Sequence, residues 1–506
     1  MSRQRVVVIT AGIMLSLFMA SMEGTVVATA MPTIVSQLGG LENYSWVFSV
    51  YMLASTTTVP LYGKLSDIYG RRRIYAIAML LFLAGSALCG LSQSMGQLIA
   101  ARVVQGVGAG GLLPLAFIMI GDMFTFEQRA RMQGVFSGVW GVSSVVGPLL
   151  GGFLVDQVSW HWVFYVNIIP GALALLIVWR AWVDRPRVAG ATRPAVDYAG
   201  AALLTASVVL LLMGLFEFGQ PVGWALLAAA ALLFAGLAWV ERRAADPVLP
   251  LALFRERLFA IACVHGVLAG WAMFGSSSYV PLFVQAVLGT SATQAGATLT
   301  PMLIAWVIAS IIGSRLLLKV GYRTLALVGM VLLTIGSLVL TQVGAGAGQA
   351  LLLGSLSLMG VGMGLSIPAF LIAVQSTVSK AALGTATSTV QFSRSIGGTL
   401  GVSVMGALLS ARLLGGMRTA GLDPATVSLN DLLDPIAQSS ATAALDATLR
   451  VALAHALQGV FWLAFGAAAL GLLATMLAPA GRIAQLAAQR PKAAGEHEPH
   501  PIRAIE

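Results

Sequence analysis

The sequence has 506 residues, 58% of them hydrophobic and only 9% charged, with a mean hydropathy of +0.89. A soluble domain carries about 25% charged residues, so this chain cannot cover itself with water-facing side chains, and its many apolar runs of about 20 residues each match a hydrocarbon core about 30 Å thick. The formal charge of +10 is dispersed in short basic clusters between those runs, which speaks for membrane loops and against a nucleic-acid-binding face.

Apolar runs of this length must close their backbone hydrogen bonds internally, so they are helices. The runs fall at roughly 6–31, 46–62, 74–92, 96–121, 132–155, 162–182, 198–218, 224–240, 258–283, 293–318, 324–343, 349–374, 386–411 and 452–477. This is a fourteen-span all-α membrane protein, and so many crossings exclude an enzyme on a single anchor. With the N-terminus placed in the cytoplasm, 24 of the 29 Lys and Arg residues fall on the inner side. The other five are Arg412, Arg418 and Arg450 outside and Arg102 and Arg394 within spans. One missing helix would invert every later loop and destroy that asymmetry, so both termini are expected in the cytoplasm. The first run is too long for a cleavable signal. Cys89 and Cys263 lie inside apolar runs, with no disulfide framework or metal spacing around them.

In the first span, Glu23 lies 17 residues beyond Val6, about 25 Å along a helix at about 1.5 Å per residue. A carboxyl at that depth is suited to binding and releasing protons; the plain alternative is a water-facing residue near an outer funnel. The loop Gly63-Lys64-Leu65-Ser66-Asp67-Ile68-Tyr69-Gly70-Arg71-Arg72-Arg73 follows the second span. Its glycines allow a tight turn, and Asp67 can accept from a helix N-terminus or pair with arginine. In the fourth span Arg102 precedes Gln105-Gly106-Val107-Gly108-Ala109-Gly110-Gly111. A guanidinium within the bilayer is costly and reads as functional by default, a structural hydrogen-bonding arginine being the alternative. The glycines permit close helix packing and follow no strand, so they are not a nucleotide loop. In the fifth span Gly147-Pro148-Leu149-Leu150-Gly151 combines a proline that bends the axis with glycines that let the helix pivot.

Two copies of one unit are visible. Gly106, Gly108, Gly110 and Pro114 recur as Gly360, Gly362, Gly364 and Pro368, an offset of 254. Gly134, Gly147 and Gly151 recur as Gly384, Gly397 and Gly401, and the loop 63–72 aligns with 314–323, with Leu318 at the place of Asp67. Parallel repeats of this kind place a substrate site between the halves near the midplane. The chain divides into a six-helix bundle at 1–194, an inserted helix pair with its linker at 195–257, a second six-helix bundle at 258–477 and a disordered tail at 478–506. The outside stretch 412–450 is expected to be a solvated cap.

The 63–73 loop, the Arg102 motif and the Gly147-Pro148 motif resemble the signatures of the major facilitator superfamily, the last of them that of its exporters. Met22-Glu23-Gly24-Thr25 through Pro32, Trp160 to Asn167, and Glu241-Arg242-Arg243 through Leu253-Phe254 are similar to the fourteen-helix drug/proton antiporters of the EmrB and QacA type. There an aspartate stands in place of Glu23 and an arginine in place of His161. The resemblance covers nearly the whole chain to about Leu477. It implies the major facilitator fold and a proton-coupled antiporter of small amphipathic or cationic compounds in the inner membrane. In that reading Glu23 and Arg102 couple protons, while Asp67, Gly70, Arg71, Arg72, Gly147, Pro148 and Gly151 serve gating.

Tyr51, Gln105, Trp140, Trp271, Phe274 and Met302 are the candidate substrate contacts, since aromatic faces attract cations and methionine adapts its packing. His265 is either a proton relay or a histidine satisfied at a helix interface; Glu217 reads as interfacial and Arg394 as structural. The spans hold no carboxylate pair, metal cluster or activated nucleophile, so neither catalysis, metal nor cofactor is expected, the proton gradient being the energy source. Protons, lipids and a small substrate are the expected partners of a functional monomer, with no nucleic acid. Export of a lipid or endogenous metabolite is the alternative function, and a membrane sensor without flux a third.

Overall fold

The computed structural model describes residues 3–38, 44–184, 197–217, 219–244, 247–249, 251–288, 297–344, 349–379, 382–419 and 443–480. The expected tail beyond residue 480 and the 420–442 part of the expected cap lie outside them. Among the described residues the chain is helical, with no strand.

The helices in chain order are α1 Arg3–Leu38, α2 Tyr44–Tyr69, α3 Arg71–Gly90, α4 Met95–Met123, α5 Phe126–Gln157, α6 Trp162–Tyr165, α7 Ile168–Ala181, α8 Tyr198–Phe216, α9 Pro221–Glu241, α10 Arg257–Leu282, α11 Thr300–Val320, α12 Tyr322–Leu340, α13 Gln349–Thr377, α14 Leu383–Thr419 and α15 Ala443–Met476. Eleven segments are long and apolar enough to cross a membrane, with α6 and α7 together forming one of them. The apolar part of α8, Ala199–Leu215, is shorter, and α2 and α5 are not among the eleven. The count of fourteen crossings thus rests on the sequence map.

Helices α1 to α7 pack among themselves, and so do α10 to α15. The two groups meet along α2–α14 and α5–α11, with α4 also touching α14. The pair α8–α9 packs internally, while α8 also touches both α2 and α14. Leu204, Val208 and Leu212 of α8 share an apolar cluster there with Ile396 of α14, flanked by Leu53 and Leu61 of α2. The extra pair therefore lies across one seam between the two groups.

The sequence repeat is also a repeat of contacts. A Cβ on Gly106 would stand 2.7 Å from the Tyr51 carbonyl oxygen, and one on Gly360 would meet the Met302 carbonyl, 251 residues further on. Only hydrogen fits where helix backbones approach this closely. Gly70 and Gly321 both have φ 93°, the left-handed region that favours glycine, and each opens a helix directly after its predecessor ends.

Candidate functional site

Glu23 sits on α1, 1% exposed, inside the first group of helices. Its Oε1 accepts from Arg102 Nη1 at 2.6 Å and from Gln105 Nε2 at 2.9 Å, and its Oε2 accepts from Asn167 Nδ2 at 2.6 Å. Arg102 also donates through Nε to the Val47 carbonyl at 3.1 Å and through Nη1 to Gln105 Oε1 at 2.7 Å. Its guanidinium lies 4.0 Å over the Tyr51 ring. Gln105 donates in addition to Ser86 Oγ at 2.7 Å. The site thus draws on α1, α2, α3, α4 and the start of α7. Glu23 does not face water, as the outer-funnel alternative required.

An ion pair with both side chains at most 1% exposed is expensive to desolvate and is retained only when further hydrogen bonds satisfy it. Here Gln105, Asn167, Tyr51 and Val47 do so. Removing the charge on the carboxylate would strand a guanidinium in a low-dielectric core. Loss of that charge would therefore weaken the packing of α1 against α4.

A second cluster occupies the Asp67 end of the bundle. Asp67 accepts from the Gly384 and Thr385 backbone N–H groups at 3.2 and 2.8 Å and from Thr385 Oγ1 at 2.8 Å. A side chain of α2 thus serves the open N-terminus of α14, where a negative charge is favoured. Arg71 lies 2.5 Å from Asp67 and donates to Asp122 Oδ2 at 3.0 Å and Ser66 Oγ at 2.7 Å. Asp184 receives the backbone N–H of Arg71 at 2.8 Å and of Arg72 at 3.3 Å, capping α3 beyond Gly70. The Arg72 guanidinium lies 4.2 Å over the Trp179 ring. Arg129 donates to the Gln375 carbonyl of α13 at 3.2 Å, a second contact across the seam.

Helix α5 runs unbroken through Pro148, whose side chain lies outside what is described. A Cβ on Gly147 would meet Thr25 of α1, and one on Gly141 would come within 2.9 Å of Val307 of α11. Gly151 is buried. One helix therefore packs closely against a neighbour in each group. Beside it Ser137 donates to Ser310 at 2.6 Å, and Trp140 and Trp306 approach to 6.1 Å between ring centroids.

These two rings flank a cavity between the groups, lined among others by Phe117, Phe136, Phe274, Ile367 and Arg394. Its open volume is about 50 Å³, room for a few waters at about 10–15 Å³ each, so a drug-sized compound requires the groups to part.

Of the six residues expected to touch substrate, only Trp140 and Phe274 line this cavity. The other four lie elsewhere: Gln105 belongs to the Glu23 cluster, Tyr51 stacks on Arg102, Met302 is packed on Gly360, and Trp271 packs on Gly401. His265 is 2% exposed against Phe370, with ring centroids 4.6 Å apart, and Glu217 is exposed at the end of α8.

Asn167, Asp122, Asp184 and Arg129 are the partners that sequence reasoning missed. Only Asn167 fell within a quoted motif. The others are single polar residues at helix ends, and nothing local distinguishes them from solvated ones.

A family model described as the Major Facilitator Superfamily matches residues 13–402. The chain is 39% identical over 415 residues to the multidrug transporter protein MdtP of Bacillus subtilis (strain 168), covering 81% of this chain and 76% of that protein. It is 40% identical over 403 residues to multidrug resistance protein 3 of the same organism, covering 78% of each. Among solved structures, the human organic anion transporter MFSD10 (TETRAN) superposes with a TM-score of 0.63 at 16% identity, over 92% of this chain and 100% of that one, a likeness of fold alone. This chain belongs to the Major Facilitator Superfamily and is a multi-pass membrane transporter of a small molecule, not an enzyme.

Proposed function

We propose that this transporter is a proton-coupled antiporter that exports small amphipathic compounds by alternating access. It is read as one of the fourteen-helix drug/proton antiporters, acting as a monomer in the inner membrane with both termini cytoplasmic. The observation that carries this reading is the sealed Glu23 carboxylate, held by Arg102, Gln105 and Asn167. Its place in the membrane core suits a proton carrier, and the printed names of the two bacterial relatives support export.

In this mechanism a proton entering from outside neutralises Glu23 and frees Arg102, which loosens α1 from α4. The Asp67 and Arg129 contacts then hold the cytoplasmic end shut until that loosening reaches them along α4. The bundles at 1–194 and 258–477 move against each other, with α5 pivoting at Gly147, Pro148 and Gly151. Energy comes from the proton gradient, at about 2.3 kcal/mol per charge per 100 mV, with no bound cofactor.

The test is substrate-triggered proton movement in proteoliposomes under an imposed pH gradient, with native protein and Glu23→Gln. Coupled flux lost in the variant, by at least about 100-fold, is the expected result. Flux that stays coupled to protons in Glu23→Gln sinks the assignment of Glu23.

One observation favours export of a lipid as a second reading. An apolar groove of about 590 Å³ runs between α2 and α8, lined by Leu61, Ala201, Ala202, Thr205, Ala206, Val209 and Leu210. Protein-dependent flipping of a fluorescent phospholipid in the same vesicles separates it from drug export.

A further inference from the structure

Arg394 stands out once the charges of the second helix group are counted. Between Glu256 and Asp423 the sequence contains no Asp or Glu. Helices α10, α11, α12, α13 and α14 therefore hold no acidic side chain that could neutralise a cation. Among the described residues the buried ion pairs are Arg71 with Asp67 and Asp122, and Arg102 with Glu23. Arg102 and Arg394 both lie well inside spans, and of the two only Arg102 has a carboxylate beside it.

The position of Arg394 is set by backbone packing. A Cβ on Gly266 would lie 3.4 Å from the Arg394 nitrogen, and one on Gly270 would meet its carbonyl. Helix α14 is thus seated tightly on α10 at this residue. Arg394 is one of the residues that form the wall of the cavity between the two groups. The remaining wall is supplied by residues such as Phe117, Phe136, Trp140, Phe274 and Trp306, and among the described residues Arg394 is its only charged member. Aromatic walls alone would suit a lipophilic cation. A guanidinium in that wall opposes one, because in a low-dielectric cavity like charges repel strongly. The same guanidinium presents a planar fork of donors that matches a carboxylate or phosphate.

We propose that the central cavity selects amphipathic anions, with the anionic group on Arg394 and the apolar body between Trp140, Trp306, Phe136 and Phe274. This names the substrate class of the exporter and rests on the reading of this cavity as its substrate site. The substrate supplies the counter-charge that the second helix group lacks. The Glu23 cluster remains free for protons, so the two charges that move in opposite directions are handled in separate halves.

The test is calorimetric binding to the full-length protein in nanodiscs, with empty nanodiscs as the blank. The probes are 2-naphthylacetate, its primary amide and (2-naphthylmethyl)trimethylammonium, which share an aromatic body and differ in charge. The native protein is expected to bind the carboxylate at least tenfold more tightly than the amide, and the ammonium most weakly. Arg394→Gln removes the preference for the carboxylate, and Arg394→Lys, which keeps the charge, retains most of it. Tightest binding of the ammonium by the native protein, or a carboxylate preference that survives Arg394→Gln, overturns the proposal. If all three probes bind equally and Trp140→Ala weakens them all, the cavity stands as the substrate site and only the anion selectivity falls. If none binds, or neither Trp140→Ala nor Arg394→Gln changes any affinity, both readings fall together.

Discussion

The two repeats differ sharply at equivalent places. In the first, Arg102 and Gln105 hold Glu23; 254 residues on, the same positions are Leu356 and Met359, both wholly buried. Yet the glycines around them make matching contacts, Gly85 against Gln105 and Gly336 against Met359. The packing of these helices is therefore set by small residues and tolerates either a polar network or an oily core. The chemistry is an occupant of the fold, installed in one half.

The comparison breaks most visibly if the first repeat is given the chemistry of the second. Arg102→Leu leaves the Glu23 carboxylate buried without its cation, which costs about 3–5 kcal/mol and abolishes transport. Adding Glu23→Leu should restore most of the lost thermal stability in detergent while transport stays absent. A double variant that melts as low as Arg102→Leu would show that the polar network is itself structural.

Next in size is the equivalent glycine pair of α5 and α14. A Cβ at Gly397 meets the Val267 backbone, whereas one at Gly147 meets the Thr25 side chain. Backbone cannot swing aside, so Gly397→Ala is expected near the upper end, and Gly147→Ala near the lower end, of the roughly 1–3 kcal/mol that overpacking costs. Melting temperatures of the two proteins rank them, and the reverse order would mean that α5 is the more rigid seat.

A smaller effect than at Gly397 is expected at Asp67, which has only Leu318 as its counterpart. Asp67→Asn keeps some hydrogen bonding and loses the charge, weakening the hold on α14 by about 1.5 kcal/mol. That is roughly a tenfold shift toward the arrangement in which the Asp67 end is open, readable as spin-label distances between α2 and α14. An unchanged distance distribution would remove Asp67 from gating.

Much of this was readable in advance because a bilayer narrows the choices. Helical spans, their repeat and the meeting of a buried acid with a buried arginine follow from the cost of polar groups in hydrocarbon. What escaped depended on distance in the chain. Asn167 reaches Glu23 across 144 residues and Arg129 reaches Gln375 across 246, and neither has a local signature. Which residues line the cavity between the groups escaped for a related reason. Met302 and Trp271 have the right side chains, but which face of a membrane helix meets the cavity is decided by its neighbours, and apolar faces all look alike.

The contacts that join the two groups at the Asp67 end have a consequence for how such a protein can change over generations. Asp67 and Arg129 grip peptide groups of the opposite half, at Gly384, Thr385 and Gln375. Peptide groups are present whatever the side chains are. Substitutions along the cavity wall in α10, α11 or α13 can therefore accumulate without disturbing these contacts. In a transporter built this way the cavity wall and the contacts that join the two halves can evolve separately.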